Sequence, residues 1–289
     1  MMRGIKASTK VFCVIGHPIE HSMSPSMHNI AFQALGLDNV YVAFDILPEY
    51  LANAISGIKA LDIKGFNVTL PHKRAMLKYL DQIDPLAGAI GAINTVKNDD
   101  GLLIGKNTDA MGGEEALIQA GGDLTGKRVM ILGAGGAARA ISYVLAGQIA
   151  HLVILNRTQE KAVILAREVQ EKANIKVQGK GLDRSHLLEE INRADILINT
   201  TSVGMYPNIN VSPVPKELLH DNLLVFDVIY NPIETQLLKD AIDSGCKVLN
   251  GVDMLVNQGA LAFEWWTDKK PNKRLMKSEI IKLLEEKKC

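Results

Sequence analysis

Val129-Met130-Ile131-Leu132-Gly133-Ala134-Gly135-Gly136-Ala137-Ala138 is an apolar run that breaks into glycines and then into small helix-forming residues. It reads as a buried strand, a tight turn and the first turn of a helix. In the pattern G-x-G-x-x-A the first glycine makes the turn and the second lets a pyrophosphate approach the backbone. The small third residue lets helix and strand pack closely. A pyrophosphate is expected on the helix N-terminus around Gly135 and Gly136, where unpaired N–H groups and the helix dipole favour an anion. Gly133, Ala134, Gly135, Gly136 and Ala137 are therefore assigned to a dinucleotide. The next apolar run, Leu152 to Leu155, ends in Asn156-Arg157-Thr158, about 20 residues on, where an NAD enzyme places a carboxylate on the ribose. No Asp or Glu stands there. A guanidinium can give a 2′-phosphate two parallel charge-assisted hydrogen bonds, so NADP is expected rather than NAD.

Outward from this loop, β-rich runs alternate with helical patterns: Val11 to Ile15, Val40 to Ile46, Gly65 to Val68, Arg128 to Leu132, Asp195 to Ile198, Leu223 to Phe226 and Lys247 to Leu249. Such alternation predicts an α/β fold with mostly parallel strands. Asn98-Asp99-Asp100-Gly101, between Thr95-Val96 and Leu102-Ile104, predicts a hairpin, which makes the first sheet mixed. A helix from Thr108 to Gly121-Gly122 leads into a second α/β unit at Lys127. After Leu249 only helical patterns remain, Asp253 to Thr267 and Lys273 to Lys287, and these are expected to return to the first domain. The expected division is 1–110 plus 253–289 as a substrate-binding, catalytic domain and 111–252 as a doubly wound Rossmann domain for NADP, with the substrate in a cleft between them.

The 289 residues suit two domains, and 47% apolar with 22% charged residues is ordinary for a globular chain. With 32 basic and 32 acidic side chains the formal charge is zero, which gives no global attraction to nucleic acid or an anionic membrane. Cys13, Cys246 and Cys289 are odd in number and widely spaced, which favours a reducing compartment over a disulfide framework. The basic stretch Met1 to Lys10 lacks the apolar run of a signal peptide, and no segment approaches the roughly 20 residues of a membrane span. A cytoplasmic location is expected.

Two further stretches carry chemistry: Asn67-Val68-Thr69-Leu70-Pro71-His72-Lys73 and Gly105-Lys106-Asn107-Thr108-Asp109. The strand period of 2 puts the Asn67 and Thr69 side chains on one face. Pro71 suits the first turn of a following helix, which places Lys73 about one turn beyond the strand. Lys73 and Asp109 are the proposed acid/base pair, and Asn94, in Gly91-Ala92-Ile93-Asn94-Thr95, offers another amide to the same ligand. In Gly16 to Pro25, Ser24 is expected as an N-cap with Pro25 as the first helical residue, and Ser22 and Ser24 suit a carboxylate. His17, His21 and His28 do not share a helical face and lack an H-E-x-x-H pattern, so no metal is expected. His72 is expected to be structural.

In combination these motifs, with His28-Asn29, Asn199 to Met205, Asp227 to Pro232 and Asn250 to Gln258, resemble the shikimate dehydrogenases over nearly the whole chain. The resemblance implies reduction of 3-dehydroshikimate to shikimate with NADPH, in the pathway to chorismate and the aromatic amino acids. It implies that Ser22 and Ser24 hold the carboxylate, assisted by Tyr230. Asn67, Thr69, Asn94, Asp109 and Gln258 would bind ring hydroxyls, and Lys73 would protonate the C3 oxygen. It further implies Gly251 and Met254 near the nicotinamide, Thr200, Thr201 and Val203 near the cofactor ribose, and Val228 among the cofactor contacts. A related branch that accepts quinate, often with NAD, carries an acidic residue soon after the arginine. Thr158 and Gln159 follow Arg157 here, which favours the NADP-linked, shikimate-selective branch. The resemblance allows monomers and homodimers.

Overall fold

Each predicted apolar run forms a strand, and the strands collect into two six-stranded sheets. The computed structural model describes residues 4–286. Cys289, Lys287 and the start of the basic N-terminal stretch lie outside the described residues. The chain divides into two compact units, one running to Thr108 and resuming at Val256, the other from Asp109 to Leu255.

The first unit contains β1 (Lys10–Gly16), α1 (Ser24–Ala34), β2 (Asn39–Asp45), α2 (Leu51–Ala60), β3 (Gly65–Val68), β4 (Gln82–Ile83), α3 (Pro85–Ile90), β5 (Thr95–Asp99) and β6 (Leu102–Lys106). Its sheet runs β2-β1-β3-β5-β6-β4 and is mixed, as expected: β1 is parallel to both β2 and β3, whereas β5 is antiparallel to both β3 and β6. The β5–β6 hairpin turns at Asp100 and Gly101, whose φ values of 48° and 93° are the left-handed pair that a two-residue turn needs. Close approach is built in at Gly65, where an added Cβ would sit 2.5 Å from the Trp266 indole nitrogen. The bare backbone lets the indole lie on the strand and donate to the Val96 carbonyl at 2.9 Å.

Two helix starts differ from expectation. Pro71 does not open an α-helix: residues 71–74 form a turn, followed by a 3-10 helix over Ala75–Tyr79. The reason is part local and part tertiary. The His72 amide closes a tight turn onto Thr69 O (2.9 Å), and the Lys73 carbonyl accepts from Ile93 N (2.8 Å), so that carbonyl serves a distant segment instead of a helix. In α1 the cap position is Met23, not Ser24; Ser24 is already helical, and no side chain caps the helix.

The second unit contains α4 (Thr108–Gly121, entering from the first unit), β7 (Arg128–Leu132), α5 (Gly136–Leu145), β8 (His151–Asn156), α6 (Gln159–Gln170), β9 (Lys176–Gly181), α7 (Arg184–Ile191), β10 (Ile196–Asn199), β11 (Leu224–Asp227), α8 (Gln236–Asp243) and β12 (Lys247–Leu249). All six strands are parallel, in the order β12-β11-β10-β7-β8-β9, the doubly wound dinucleotide-binding arrangement. Alternation along β7 divides its side chains between two cores. Val129 and Ile131 pack with α5 and α6, whereas Met130 and Leu132 pack with Leu187 of α7 and Leu237 of α8. The edge strand β9 has no apolar run, since Lys-Val-Gln-Gly-Lys-Gly offers only one large apolar side chain; it forms because β8 supplies a full register of partners from His151 to Asn156.

α9 (Gly251–Thr267) passes from the second unit to the first, and α10 (Lys273–Glu286) packs on α1. Met276, Ile280 and Leu284, spaced by four, form the buried stripe of α10. The C-terminal helices thus return to the first unit, where Trp266 lies in the core. No helix among the described residues is long and apolar enough to cross a membrane.

Candidate active site

In the first unit, β3 delivers Asn67 into a buried cluster of amides and hydroxyls. Tyr41 donates its hydroxyl to Asn67 Oδ1 at 2.6 Å, and Asn67 Nδ2 donates to Asn94 O (3.1 Å) and Thr95 Oγ1 (3.0 Å). Asn94 Oδ1 accepts from Thr108 N at 2.6 Å, while Asn94 Nδ2 donates to Thr108 Oγ1 (3.0 Å) and to Gln258 Oε1 of α9 (3.4 Å). Asn67, Asn94 and Gln258, predicted separately, are therefore one connected set. Tyr41, Thr95 and Thr108 complete it and were not assigned roles from the sequence. A buried tyrosine inside an apolar strand such as Val40-Tyr41-Val42 was the available signal, because its hydroxyl must find a partner.

Around this cluster, Thr69 lies just beyond β3, against Gly16, where no Cβ would fit beside it. Ser22 and Ser24 are partly buried, and the Ser24 amide donates to Ser22 Oγ at 3.4 Å. Lys73 is partly buried, its backbone fixed by the Ile93 contact. Beside it His72 is buried and donates from Nε2 to Ile46 O at 2.7 Å, so its ring holds the turn. His28 lies in the core, stacked on the Tyr41 ring at 4.4 Å, and His17 pairs with Asp45 at 2.8 Å. Burial pushes the His28 imidazole down to about 3, so the ring is neutral at physiological pH.

In the second unit, chain direction across the sheet reverses between β7 and β10, and ligands of doubly wound sheets bind at the carboxyl ends of such a pair. Gly133 and Thr200 occupy that position. Gly133 has φ 104°, and a Cβ there would lie 2.6 Å from Thr200 Oγ1, so both backbone conformation and space require glycine. Gly135 is the N-cap of α5, and a Cβ on Gly135 or Gly136 would meet nothing within 4 Å: the helix N-terminus opens onto free space able to admit an anion. Asn156 ends β8, and its side chain ties the turn by donating to Thr158 O at 2.9 Å. Arg157 and Thr158 are exposed, and Thr158 makes no side-chain capping bond. These features fit a dinucleotide carrying a 2′-phosphate. Asp109, partly buried, stands in the first turn of α4, in this second unit.

The loops beyond β10 and β11 are organised by a group the sequence reading left without a role. Asp227, fully buried at the end of β11, accepts from Asn199 Nδ2 (3.0 Å) and Ile229 N (3.1 Å) on Oδ1, and from Thr235 Oγ1 (2.7 Å) on Oδ2. Burial raises its pKa to about 6, opposed by those three donors. Because the folded carboxyl holds its proton more tightly than the unfolded one, its contribution to stability is greatest below about pH 4. It is lost as pH rises through 6. Comparing Asp227→Asn with wild type by denaturant unfolding should show wild type losing about 3 kcal/mol relative to the variant between pH 4 and pH 7. A difference that stays constant over that range would contradict the assignment. Tyr230, partly exposed in the following loop, has its hydroxyl pKa raised by burial. Val228 lies against Gly251, whose closeness to the Val228 carbonyl leaves no room for a side chain. Met254 is buried in the same unit, and Val203 is exposed.

The family profile described as shikimate dehydrogenase substrate binding domain matches residues 14–96. Residues 114–237 match the profile for shikimate / quinate 5-dehydrogenase, and 251–281 match the shikimate 5′-dehydrogenase C-terminal domain. The shikimate dehydrogenase (NADP(+)) of Methanocaldococcus jannaschii is 52% identical over 278 residues, 96% of this chain and 98% of that one. A crystal structure of a shikimate dehydrogenase in complex with NADP+ superposes with a TM-score of 0.92 at 50% identity, covering 97% of this chain and 98% of the other. The Listeria monocytogenes shikimate 5-dehydrogenase, solved with shikimate and NAD, gives 0.91 at 39% identity over 96% and 98%.

Proposed function

The chain belongs to the shikimate dehydrogenase family, and from that premise we propose that it uses Lys73 and Asp109 as an acid/base pair in its reaction. That reaction is the reversible, NADPH-dependent reduction of 3-dehydroshikimate to shikimate. It serves the pathway to chorismate and the aromatic amino acids, and the enzyme acts in the cytoplasm. Function divides along the chain: 1–110 with 253–289 binds substrate and 111–252 binds NADP.

The observation that carries this reading is the connected amide and hydroxyl set of Asn67, Asn94, Thr108 and Gln258, of which Asn67 and Asn94 lie in the stretch that matches a substrate binding domain and Gln258 in the stretch that matches the family's C-terminal domain. Amides whose rotamers are fixed by neighbours hold a polyol in one orientation, which favours a single ring hydroxyl as the reacting group. Ser22 and Ser24 hold the substrate carboxylate with Tyr230, while Asn67, Thr69, Asn94, Asp109 and Gln258 take the ring hydroxyls. Gly133, Ala134, Gly135, Gly136 and Ala137 cradle the pyrophosphate; Asn156, Arg157 and Thr158 hold the adenosine 2′-phosphate. Thr200, Thr201, Val203, Val228, Gly251 and Met254 line the nicotinamide half. Bound there, NADPH supplies a hydride to the C3 carbonyl carbon. Lys73 Nζ gives its proton to the C3 oxygen as charge develops on it, and Asp109 orients the ammonium and the neighbouring hydroxyl.

The direct test follows absorbance at 340 nm as purified protein is mixed with NADPH and 3-dehydroshikimate, with parallel reactions using NADH, and using quinate with NADP. Rapid turnover is expected in the first mixture and much slower turnover in the others. Absence of turnover with NADPH and 3-dehydroshikimate would remove the reading.

A further inference from the structure

We propose that Asp227 is a positioning residue for the nicotinamide side of the cofactor site. It ties the segment after β10, which carries Thr200, Thr201 and Val203, to the segment after β11, which carries Val228 and Tyr230. The proposal rests on the assignment of those segments to NADP and substrate, and extends it to a group outside the assigned contacts.

Three features of the second unit converge on this carboxylate. Its two oxygens accept from three donors that lie on different segments: Asn199 at the end of β10, Ile229 just beyond β11, and Thr235 at the cap of α8. Asn199 passes the constraint on, since its Oδ1 accepts from both Thr201 N (3.0 Å) and Thr201 Oγ1 (2.7 Å). Thr235 borders the same segment from the other side: a Cβ added at Gly204, where φ is 96°, would lie in ordinary van der Waals range of Thr235 Cβ at 3.6 Å. The Tyr206 amide bonds to Asn231 O at 3.4 Å and the Gly251 amide to Ile229 O at 3.1 Å, so the segments beyond both strands and the start of α9 are laced together around Asp227.

A core requirement alone does not explain the carboxylate. The preceding residues Leu223 to Phe226 are all buried and apolar, and an aliphatic residue at 227 would continue that run without desolvating a charge. What an aliphatic residue cannot do is accept from three segments at once. Losing the acceptor leaves buried donors unsatisfied in both loops, and each loop then relaxes independently.

The test compares affinity for whole NADPH, by fluorescence titration, with affinity for adenosine 2′,5′-bisphosphate, by calorimetry. The bisphosphate probes the Arg157 end of the site without the nicotinamide half. In Asp227→Ala, NADPH affinity and kcat should each fall about tenfold or more, with bisphosphate affinity within twofold of wild type. Asp227→Asn keeps an amide oxygen for Asn199 and Ile229 and should recover most of the loss. Thr235→Val preserves shape, deletes one donor, and should weaken NADPH about fivefold; it carries the test if Asp227→Ala does not fold. The proposal is overturned if Thr235→Val binds NADPH like wild type, or if bisphosphate affinity falls in step with NADPH affinity, which would indicate a general loss of fold. A wild-type protein that binds NADPH but fails to reduce 3-dehydroshikimate would instead sink the functional assignment, with the binding comparison still deciding the role of Asp227.

Discussion

Replacement of Lys73 by alanine is expected to lower kcat by about 10²- to 10⁴-fold, while the Michaelis constant for shikimate changes only a few fold. The asymmetry follows from when the ammonium matters. In the ground state the C3 oxygen is a neutral carbonyl or hydroxyl. In the transition state it carries developing negative charge, and a proton donor within reach is worth most. Lysine suits the role because its ammonium is a compact donor on a flexible stem, and here its backbone is pinned by the Ile93 amide instead of being left to a mobile loop. If Asp109 acts on the same proton, the double variant Lys73→Ala, Asp109→Asn should be little slower than the worse single variant, because residues that work as a unit do not contribute additively. Steady-state kinetics in both directions provide the check. Turnover surviving within a few fold in Lys73→Ala would reduce the lysine to a binding residue, and a multiplicative double variant would separate the pair.

Arg157→Ala is expected to raise the Michaelis constant for NADP by roughly tenfold to a hundredfold and to leave that for NAD nearly unchanged, which inverts or erases the preference between them. The 2′-phosphate is the only group by which the two cofactors differ, so a residue that reads it must act on one and not the other. Arg157 is exposed at the end of β8, and no carboxylate stands in the neighbouring positions 156–159 to satisfy it or to accept a ribose hydroxyl. Equal losses with both cofactors would show that the guanidinium supports the turn and does not recognise the phosphate.

The two sheets, the hairpin and the glycine loop were readable without coordinates because each depends on local physics. Apolar runs of strand length must be buried, Asp100-Gly101 accept a left-handed turn, and a strand running into Gly133 has few other ways to begin a helix. The NADP cofactor was expected from the absence of a carboxylate after β8, and the NADP-dependent relatives agree with it. The polar edge strand β9 was not, because its pairing comes from β8 and not from its own composition. Likewise the segment after Pro71 had the local marks of a helix start, yet a tight turn onto Thr69 held by tertiary hydrogen bonds to Ile46 and Ile93 replaced it.

The sequence alone determined the two-domain α/β plan, the family and its NADP cofactor, and it supplied the motifs from which the roles of Lys73, Asp109 and Arg157 are proposed. Only the tertiary structure decided how the buried polar side chains are held. Tyr41 orienting Asn67, Thr108 orienting Asn94 and Asp227 holding Asn199 are contacts between residues well separated in the chain. Buried polar atoms must be satisfied wherever the fold brings a partner, and the identity of that partner is a property of packing that no local pattern encodes.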